Sequence, residues 1–111
     1  MQAVWYNKFG PAKDVLEVGE YQTPQLERGD VKVRVHASGV NPSDTKKRLG
    51  ANLALLNNGS VIPNSDGSGE IVALGEGVEN RTIGERVWIY NAQFGRQEGT
   101  SAQYVCVPSN Q

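Results

Sequence analysis

The 111 residues are enough for one domain, because a chain of this length can bury roughly two thirds of the surface that its unfolded form exposes. The hydrophobic fraction is 38% and the charged fraction 21%, which excludes the composition of a disordered chain. The formal net charge is −1, from 11 Lys and Arg against 12 Asp and Glu, so we expect no nucleic-acid partner.

Six short runs that are rich in Val, Ile or aromatic residues and bounded by Gly, Pro or Asn predict β-strands. In chain order they are residues 3–6, 15–21, 31–38, 70–74, 86–92 and 102–107. The third run is the clearest, because Val31, Val33, Val35 and Ala37 alternate with polar residues and should turn inward together. This succession of short strands predicts a mainly β fold, a small barrel with glycines at its corners.

One helix is predicted at residues 42–49. Asn41 suits the N-cap, and Pro42 suits the first helical turn. The basic residues 46–48 fall near the C-terminal end, where cations complement the helix dipole, and Gly50 suits a stop. We interpret the basic run as a solvated helix face, with a local anion contact as the alternative.

Residues 51–63 follow this helix and mix three leucines with asparagine and glycine. No helical or strand period runs through them. We expect a mobile excursion that stays outside the core.

Two polar clusters lie where a strand meets a loop, at residues 39–44 and at residues 63–69. Binding residues often occupy loops that a rigid strand anchors. The same residue types also form Asx-type turns without any ligand. From the residues alone, binding loops and simple turns both remain open.

The order of three segments resembles one known family. Residues 33–44, V-R-V-H-A-S-G-V-N-P-S-D, resemble the strand and turn that open the active-site region of medium-chain dehydrogenases/reductases, in the form typical of NADPH:quinone oxidoreductases and zeta-crystallin relatives. Residues 63–72 resemble the second signature, a proline, a polar triplet, Gly-x-Gly and a strand. Residues 99–108 resemble the family's Gly-Thr/Ser-x-Ala-Glu-Tyr-x-x-Val-Pro pattern, with Gln103 where Glu is usual.

The resemblance implies that residues 1–111 form a GroES-like, partly open β-barrel with one or two short helices. This would be the N-terminal, substrate-side domain of an NADPH-dependent reductase that transfers hydride to a quinone or an enone. No single catalytic residue is implied. Lys46 departs from the tyrosine that many quinone oxidoreductases carry. The residues implied at the substrate and cofactor cleft are Asn41, Asp44, Lys46, Ser65, Asp66 and Gly67.

The resemblance also implies that no metal is bound. In zinc-dependent members of the family, a cysteine stands at the position of Asn41 and a His-Glu pair at the positions of Ser65 and Asp66. An amide and a hydroxyl are poor zinc ligands. The four-cysteine lobe of a structural zinc would fall near residues 91–99, where this sequence has no cysteine.

NADPH is implied for the full-length enzyme and would be bound mainly by a Rossmann domain that these residues do not include. Residues 67–69 form a Gly-x-Gly that precedes a predicted strand and has no third glycine, so they are not a dinucleotide-binding turn. We therefore expect residues 1–111 to be a truncated enzyme that is inactive alone. The expected partners are a small quinone or enone and the Rossmann domain, and a homodimer is compatible with this class.

The single cysteine, Cys106, excludes an internal disulfide and fits a reducing compartment, so a cytoplasmic location is expected. Its place between two valines predicts a buried, unreactive thiol. The alternation of the third strand predicts a surface or cleft-rim position for His36, with a catalytic base as the alternative. No apolar stretch approaches about 18 residues, so we expect no membrane span.

Two other classes of function remain open. A stand-alone GroES-like barrel used for binding or assembly would need no cofactor, since a fold does not fix a function. Assembly into a ring would favour that class. A zinc alcohol dehydrogenase domain would require bound metal, against which the missing ligands argue.

Overall fold

The computed structural model describes residues 1–111, and the predicted mainly β fold is confirmed. In chain order the elements are β1 (Gln2–Trp5), α1 (Ala12–Val15), β2 (Glu17–Glu20), β3 (Asp30–Gly39), α2 (Pro42–Arg48), the 3-10 turn Leu53–Leu56, β4 (Asp66–Leu74), β5 (Arg86–Ile89) and β6 (Tyr104–Pro108). None of the helices is long and apolar enough to cross a membrane.

The strands form two antiparallel sheets, neither of which closes on itself. β1 pairs with β2, and the other four strands lie in the order β5-β4-β3-β6. Isolated bridges lie outside these ladders, with Ala3 of β1 opposite Ala102 and Tyr6 opposite Val61. The fold is therefore the expected open, barrel-like one, with β3 at the centre of the larger sheet.

The alternation of buried and exposed residues predicted for β3 holds over the first half of the strand and is interrupted in the second half. Val31 and Val33 are buried, as expected. Between Val35 and Ala37 the ladder to β4 is irregular, which leaves His36 as an extra residue. Such a bulge turns the following side chains to the other face. Ala37 is therefore exposed, contrary to the prediction, while His36 is exposed as predicted.

The main core, which we call the sheet cluster, lies on one face of the four-stranded sheet. Each strand contributes inward residues, because every second side chain of a strand points to the same face. The sheet is thus a rigid scaffold for the loops that follow β3 and precede β4. The buried members of the cluster are Val31, Val33, Ile71, Ile89, Ala92, Val105 and Val107.

A second and smaller core, which we call the loop cluster, contains Tyr6, Val15 and Val61. Tyr6 and Val61 exchange two backbone hydrogen bonds of 2.9 Å, and the second half of the 3-10 turn packs against them. A segment without a period can be buried when its backbone groups find partners elsewhere. The expectation that residues 51–63 stay outside the core is therefore wrong for Val61 and for Ile62, both of which are fully buried.

Element boundaries also differ from the prediction, and three of the differences affect the core or the loops around the site. Val15, expected to begin a strand, instead ends α1 with its side chain buried. A four-residue helix is too short to show a helical period in the sequence. β4 begins at Asp66 rather than at residue 70, and β5 ends at Ile89 rather than at residue 92.

Candidate functional site

The start of α2 sets the position of Asn41, and the predicted helix is confirmed. Asn41 is the N-cap, with an extended backbone at φ −116° and ψ 160°, and Pro42 is the first helical residue. The Asn41 backbone N–H donates to Asp44 Oδ2 at 2.7 Å, while the Asp44 N–H donates to the Asn41 carbonyl oxygen at 3.0 Å. The Asn41 side chain therefore projects from a turn that is hydrogen-bonded in both directions.

Asp66 connects Asn41 to the second polar cluster. Asn41 Nδ2 donates to Asp66 Oδ2 at 2.7 Å, and the backbone N–H of Asn91 donates to Asp66 Oδ1 at 3.4 Å. A carboxylate only accepts hydrogen bonds, so Nδ2 of Asn41 must face Asp66 and Oδ1 must face away from it. The structure thus brings together two of the residues that the resemblance assigns to one cleft.

Ser65 lies beside this pair but is used by the protein's own framework. Its Oγ donates to Gln93 Oε1 at 3.2 Å, and Gln93 Nε2 donates to the Ile62 carbonyl oxygen at 2.9 Å. The backbone N–H of Ala92 donates to the Ser65 carbonyl oxygen at 2.9 Å. Ser65 and Gln93 are both buried, so the serine hydroxyl stabilises the wall of the site.

Gly67 is required by the close approach of neighbouring backbone. A Cβ at this position would lie 2.8 Å from the Ala37 carbonyl oxygen and 3.1 Å from Thr100 Cβ. Gly69 leaves even less room against the Arg34 carbonyl oxygen. Both glycines lie inside β4, although the sequence placed them just before a strand; no helix follows them, as a dinucleotide-binding turn would require.

Asp44 turns into the protein. Its side chain is buried, Oδ2 accepts the Asn41 N–H, and Oδ1 has no hydrogen-bond partner. Tyr6 shares this environment: burial raises the pKa of its hydroxyl, Arg48 lowers that pKa and Asp44 raises it further. Asp44 therefore contacts the site through the backbone of Asn41.

Lys46 forms no hydrogen bond or ion pair with the other predicted site residues. It is exposed on α2 and forms no ion pair or side-chain hydrogen bond within the chain. Two helical positions separate it from the buried Asp44, which is roughly 200° around a helix of 3.6 residues per turn. Its ammonium group therefore lies on the opposite face of the helix.

Three polar residues near Asp66 have no role in the sequence analysis, although all of them lie in the resembling segments. Thr100 Oγ1 donates to the Asp66 carbonyl oxygen at 2.7 Å, Ser38 Oγ lies 2.8 Å from Thr100 Oγ1, and Asn64 Nδ2 donates to Ser38 Oγ at 2.9 Å. Asn64 has φ 76°, a backbone conformation that asparagine tolerates. The asparagine that lies between Pro63 and β4 is the feature of the sequence that could have indicated this turn.

Asn41, Ser65 and Asp66 offer one amide, one hydroxyl and one carboxylate, and no group of three or more His, Cys, Asp or Glu side chains could hold a metal ion. Cys106 lies elsewhere, on β6, with Sγ 3.9 Å from the Pro24 carbonyl oxygen. Burial raises the pKa of its thiol to about 11. The predicted buried cysteine is therefore confirmed, and its thiol is protonated at neutral pH.

Comparison with known proteins gives the family. The alcohol dehydrogenase GroES-like domain matches residues 27–111. The structure of the quinone oxidoreductase from Coxiella burnetii matches 100% of this chain with a TM-score of 0.91 and 34% identity. A mycobacterial protein solved in complex with NADPH matches 98% of the chain with a TM-score of 0.83 and 25% identity. An alcohol dehydrogenase from Geobacillus stearothermophilus is 34% identical over 95 residues, which are 83% of this chain.

This chain spans only part of each of these proteins. It covers 35% of the Coxiella chain, 32% of the mycobacterial chain and 27% of the Geobacillus enzyme. The matched fold and the matched domain agree with the order of the three sequence signatures. The chain therefore belongs to the alcohol dehydrogenase GroES-like domain family, within the medium-chain dehydrogenases/reductases that include quinone oxidoreductases.

Proposed function

We propose that residues 1–111 form the substrate-side domain of a zinc-free oxidoreductase that reduces a quinone or an enone with hydride from NADPH. The observation that carries this proposal is the 2.7 Å hydrogen bond between Asn41 and Asp66. It joins two positions at which, by resemblance, zinc-dependent relatives hold their metal. The similarity to a quinone oxidoreductase supports the substrate class, and the relative solved with NADPH supports the cofactor.

The residues at these positions do not fit a catalytic zinc ion. Zinc takes thiolate, imidazole or carboxylate ligands, and among Asn41, Ser65 and Asp66 only Asp66 offers one. Both of its carboxylate oxygens already accept hydrogen bonds. The Ser65 hydroxyl is committed to Gln93. No step of the proposed reaction therefore passes through a metal ion.

Without a metal to polarise it, the substrate must itself be electron-poor, as quinones and enones are. NADPH supplies the hydride when it is bound. The contribution of this chain is orientation. Asn41 Nδ2 has a second N–H with no partner within the chain, and Asp66 holds that amide in one orientation. A preoriented N–H can bind a substrate carbonyl oxygen without rearranging first.

The 111 residues provide no turn for the pyrophosphate of a dinucleotide. Neither Gly-x-Gly segment opens a helix: residues 67–69 lie inside β4, where the glycines pack against backbone carbonyl groups of β3, and residues 75–77 lie between β4 and β5. We therefore propose that NADPH is held mainly by a Rossmann domain outside residues 1–111, and that these residues alone do not turn over. The share of each relative that this chain covers supports that division.

The test compares the natural gene product with residues 1–111. Intact mass gives the length of the natural product, and NADPH consumption with 1,4-naphthoquinone gives its activity. We expect turnover by a longer product, no turnover by residues 1–111, and no loss of activity after treatment with a metal chelator. Stoichiometric zinc with chelator-sensitive activity would overturn the zinc-free proposal, and a natural product that forms rings without binding NADPH would favour the assembly module.

A matched pair of variants tests the role of Asn41. We expect Asn41→Ala to lower kcat of the natural product by about a hundredfold, the usual loss when one preoriented donor is removed. Asn58→Ala is the control, because Asn58 is an exposed loop amide outside the site. Equal activity of the two variants would show that Asn41 does not touch the substrate.

A further inference from the structure

We propose that Thr100 is a positioning residue, which orients the Asn41 amide through Asp66 by a hydrogen-bond chain of fixed direction. The chain runs from Asn64 to Ser38, from Ser38 to Thr100 and from Thr100 to the backbone of Asp66. This chain gives a role to Thr100, a residue of the segment 99–108 that takes no direct part in the proposed reaction.

The direction of each hydrogen bond follows from the number of protons available. The hydroxyl of Thr100 has one proton, and its shortest acceptor is the Asp66 carbonyl oxygen at 2.7 Å, against 3.4 Å for the Asn64 carbonyl oxygen. Thr100 Oγ1 must therefore accept the proton of Ser38 Oγ, 2.8 Å away. Ser38 Oγ in turn accepts from Asn64 Nδ2 at 2.9 Å. Only one arrangement of protons satisfies all three contacts.

Packing holds the threonine in this conformation. Thr100 is 1% exposed, and its backbone N–H donates to the Asn64 carbonyl oxygen at 2.8 Å. Its Cβ and Cγ2 would each lie 3.1 Å from a Cβ on Gly67, so the glycine makes room for the threonine. The side chain thus contacts the residue that follows Asp66 as well as Asp66 itself.

The consequence reaches Asn41 because Asp66 is bound from two sides. Its backbone carbonyl accepts from Thr100, and its carboxylate accepts from Asn41 Nδ2 and from the Asn91 N–H. Because Thr100 holds the backbone of Asp66, the carboxylate stays within reach of the Asn41 amide, of which only the Nδ2 end can donate to it. Ser38 and Thr100 are 62 positions apart, so the chain also ties the end of β3 to the segment before β6.

The relevance of this orientation to catalysis rests on the proposed function, whereas the hydrogen-bond chain does not. The experiment therefore has two readouts on the natural gene product. The first is the side-chain amide signal of Asn41 in protein labelled with ¹⁵N-asparagine, assigned by its loss in Asn41→Ala. The second is NADPH consumption with 1,4-naphthoquinone.

Three variants separate positioning from general destabilisation. Thr100→Val removes the hydroxyl and keeps the shape, Thr100→Ser keeps the hydroxyl, and Ser38→Ala removes the proton donor to Thr100. We expect Thr100→Val and Ser38→Ala to speed exchange of the Asn41 amide protons about tenfold, the loss typical of one such contact. The exchange of the Asn58 amide should not change. The Asn41 amide of Thr100→Ser should exchange as in the wild type, even if this variant unfolds at a lower temperature.

The turnover assay gives the matching result. We expect Thr100→Val to lower kcat more than it raises KM for the quinone, with Thr100→Ser closer to wild type. An unchanged Asn41 amide in folded Thr100→Val and in Ser38→Ala would overturn the positioning role. If the variants alter the Asn41 amide signal but the wild-type product never consumes NADPH, the hydrogen-bond chain is established. Only the proposed reaction is then contradicted.

Discussion

The sheet cluster and the loop cluster are both buried, yet the sequence encodes them in different ways. The sheet cluster follows one rule, because alternate residues of neighbouring strands share a face. The loop cluster gathers Tyr6, Val15 and Val61 from segments without a common period, and isolated bridges replace a ladder. The first region is specified locally, whereas the second depends on contacts between distant parts of the chain.

The candidate site lies between these two regions. Asn41 follows β3 of the larger sheet, while α2 is tied to the loop side through Arg48, whose Nη1 donates to the Gly10 carbonyl oxygen at 2.8 Å. The Gly10 N–H donates back to the Arg48 carbonyl oxygen at 3.0 Å. Asn41 is therefore positioned by a locally specified strand and by a helix that is anchored non-locally.

The largest expected effect comes from breaking the place where the two regions meet. The Gly99 N–H donates to the Ile62 carbonyl oxygen at 2.8 Å, and a Cβ there would lie 2.5 Å from the Pro63 carbonyl oxygen. We expect Gly99→Ala to lower the free energy of unfolding by about 3 kcal/mol in urea titrations, because backbone carbonyl groups cannot move aside. Gly19→Ala is the control, since its Cβ would meet only the Trp5 ring at 3.7 Å. Equal losses in the two variants would contradict this account.

A matched pair of valine variants sharpens the comparison. Val33 of the sheet cluster and Val61 of the loop cluster are both 0% exposed. Each change to alanine removes the same atoms and should cost about 2 kcal/mol. By hydrogen exchange, we expect Val33→Ala to lower protection throughout the sheet and Val61→Ala to lower it only around residues 6 and 61. Loss of protection along β3 in Val61→Ala would show that the two regions unfold as one unit.

An ion pair makes a further tie between the loops and β3. Arg96 donates to Asp30 Oδ2 at 2.8 Å and to Oδ1 at 3.0 Å, and the Asp30 side chain is 4% exposed. We expect Arg96→Met to cost about 1.5 kcal/mol, because it leaves the buried Asp30 carboxylate without a hydrogen-bond donor from the chain. Arg28→Met should cost no more than about 0.5 kcal/mol, since Arg28 and Glu76 are both exposed. Thermal unfolding of the two variants at the same salt concentration distinguishes these values.

The smallest expected effect is a pH dependence from two buried groups, Cys106 on β6 of the larger sheet and Tyr6 in the loop cluster. Burial raises the pKa of the Cys106 thiol from 9.0 to about 11, so the unfolded chain loses this proton first. The free energy of unfolding should therefore be fully retained below pH 9 and should fall between about pH 9 and 11. Burial likewise raises the pKa of Tyr6 above its ordinary 10.0, with the same sign above pH 10. Urea titrations from pH 8 to 11 should lose the earlier decline in Cys106→Ala and the later one in Tyr6→Phe; an unchanged profile in both would contradict the assignment.

The part of the fold that the sequence predicts is the part with a period or a cap. The alternation of Val31 and Val33 places β3, and Asn41 with Pro42 places α2. The burial of Val61 could not be predicted, because it depends on backbone hydrogen bonds to Tyr6, 55 positions earlier in the chain. Short helices such as α1 leave no measurable period.

The candidate site divides in the same way. Residue type and resemblance point to Asn41, Ser65 and Asp66. The partner of each side chain had to come from the structure, since the Asn41 amide, the Ser65 hydroxyl and the Asp66 carboxylate are all bonded to residues from other segments. The same holds for Thr100. The contacts of its hydroxyl with Ser38 and with the Asp66 carbonyl oxygen exist only once three segments of the chain are placed together.

The burial of Cys106 also makes the molecule convenient for attaching probes. Its thiol is protonated at neutral pH, and the residue is only 6% exposed, so the native cysteine should react slowly with maleimide or iodoacetamide reagents. A cysteine introduced at the exposed Ser43, in the first turn of α2, would then be modified selectively without first removing Cys106. A fluorophore at that place would report directly on any domain or ligand that approaches Asn41.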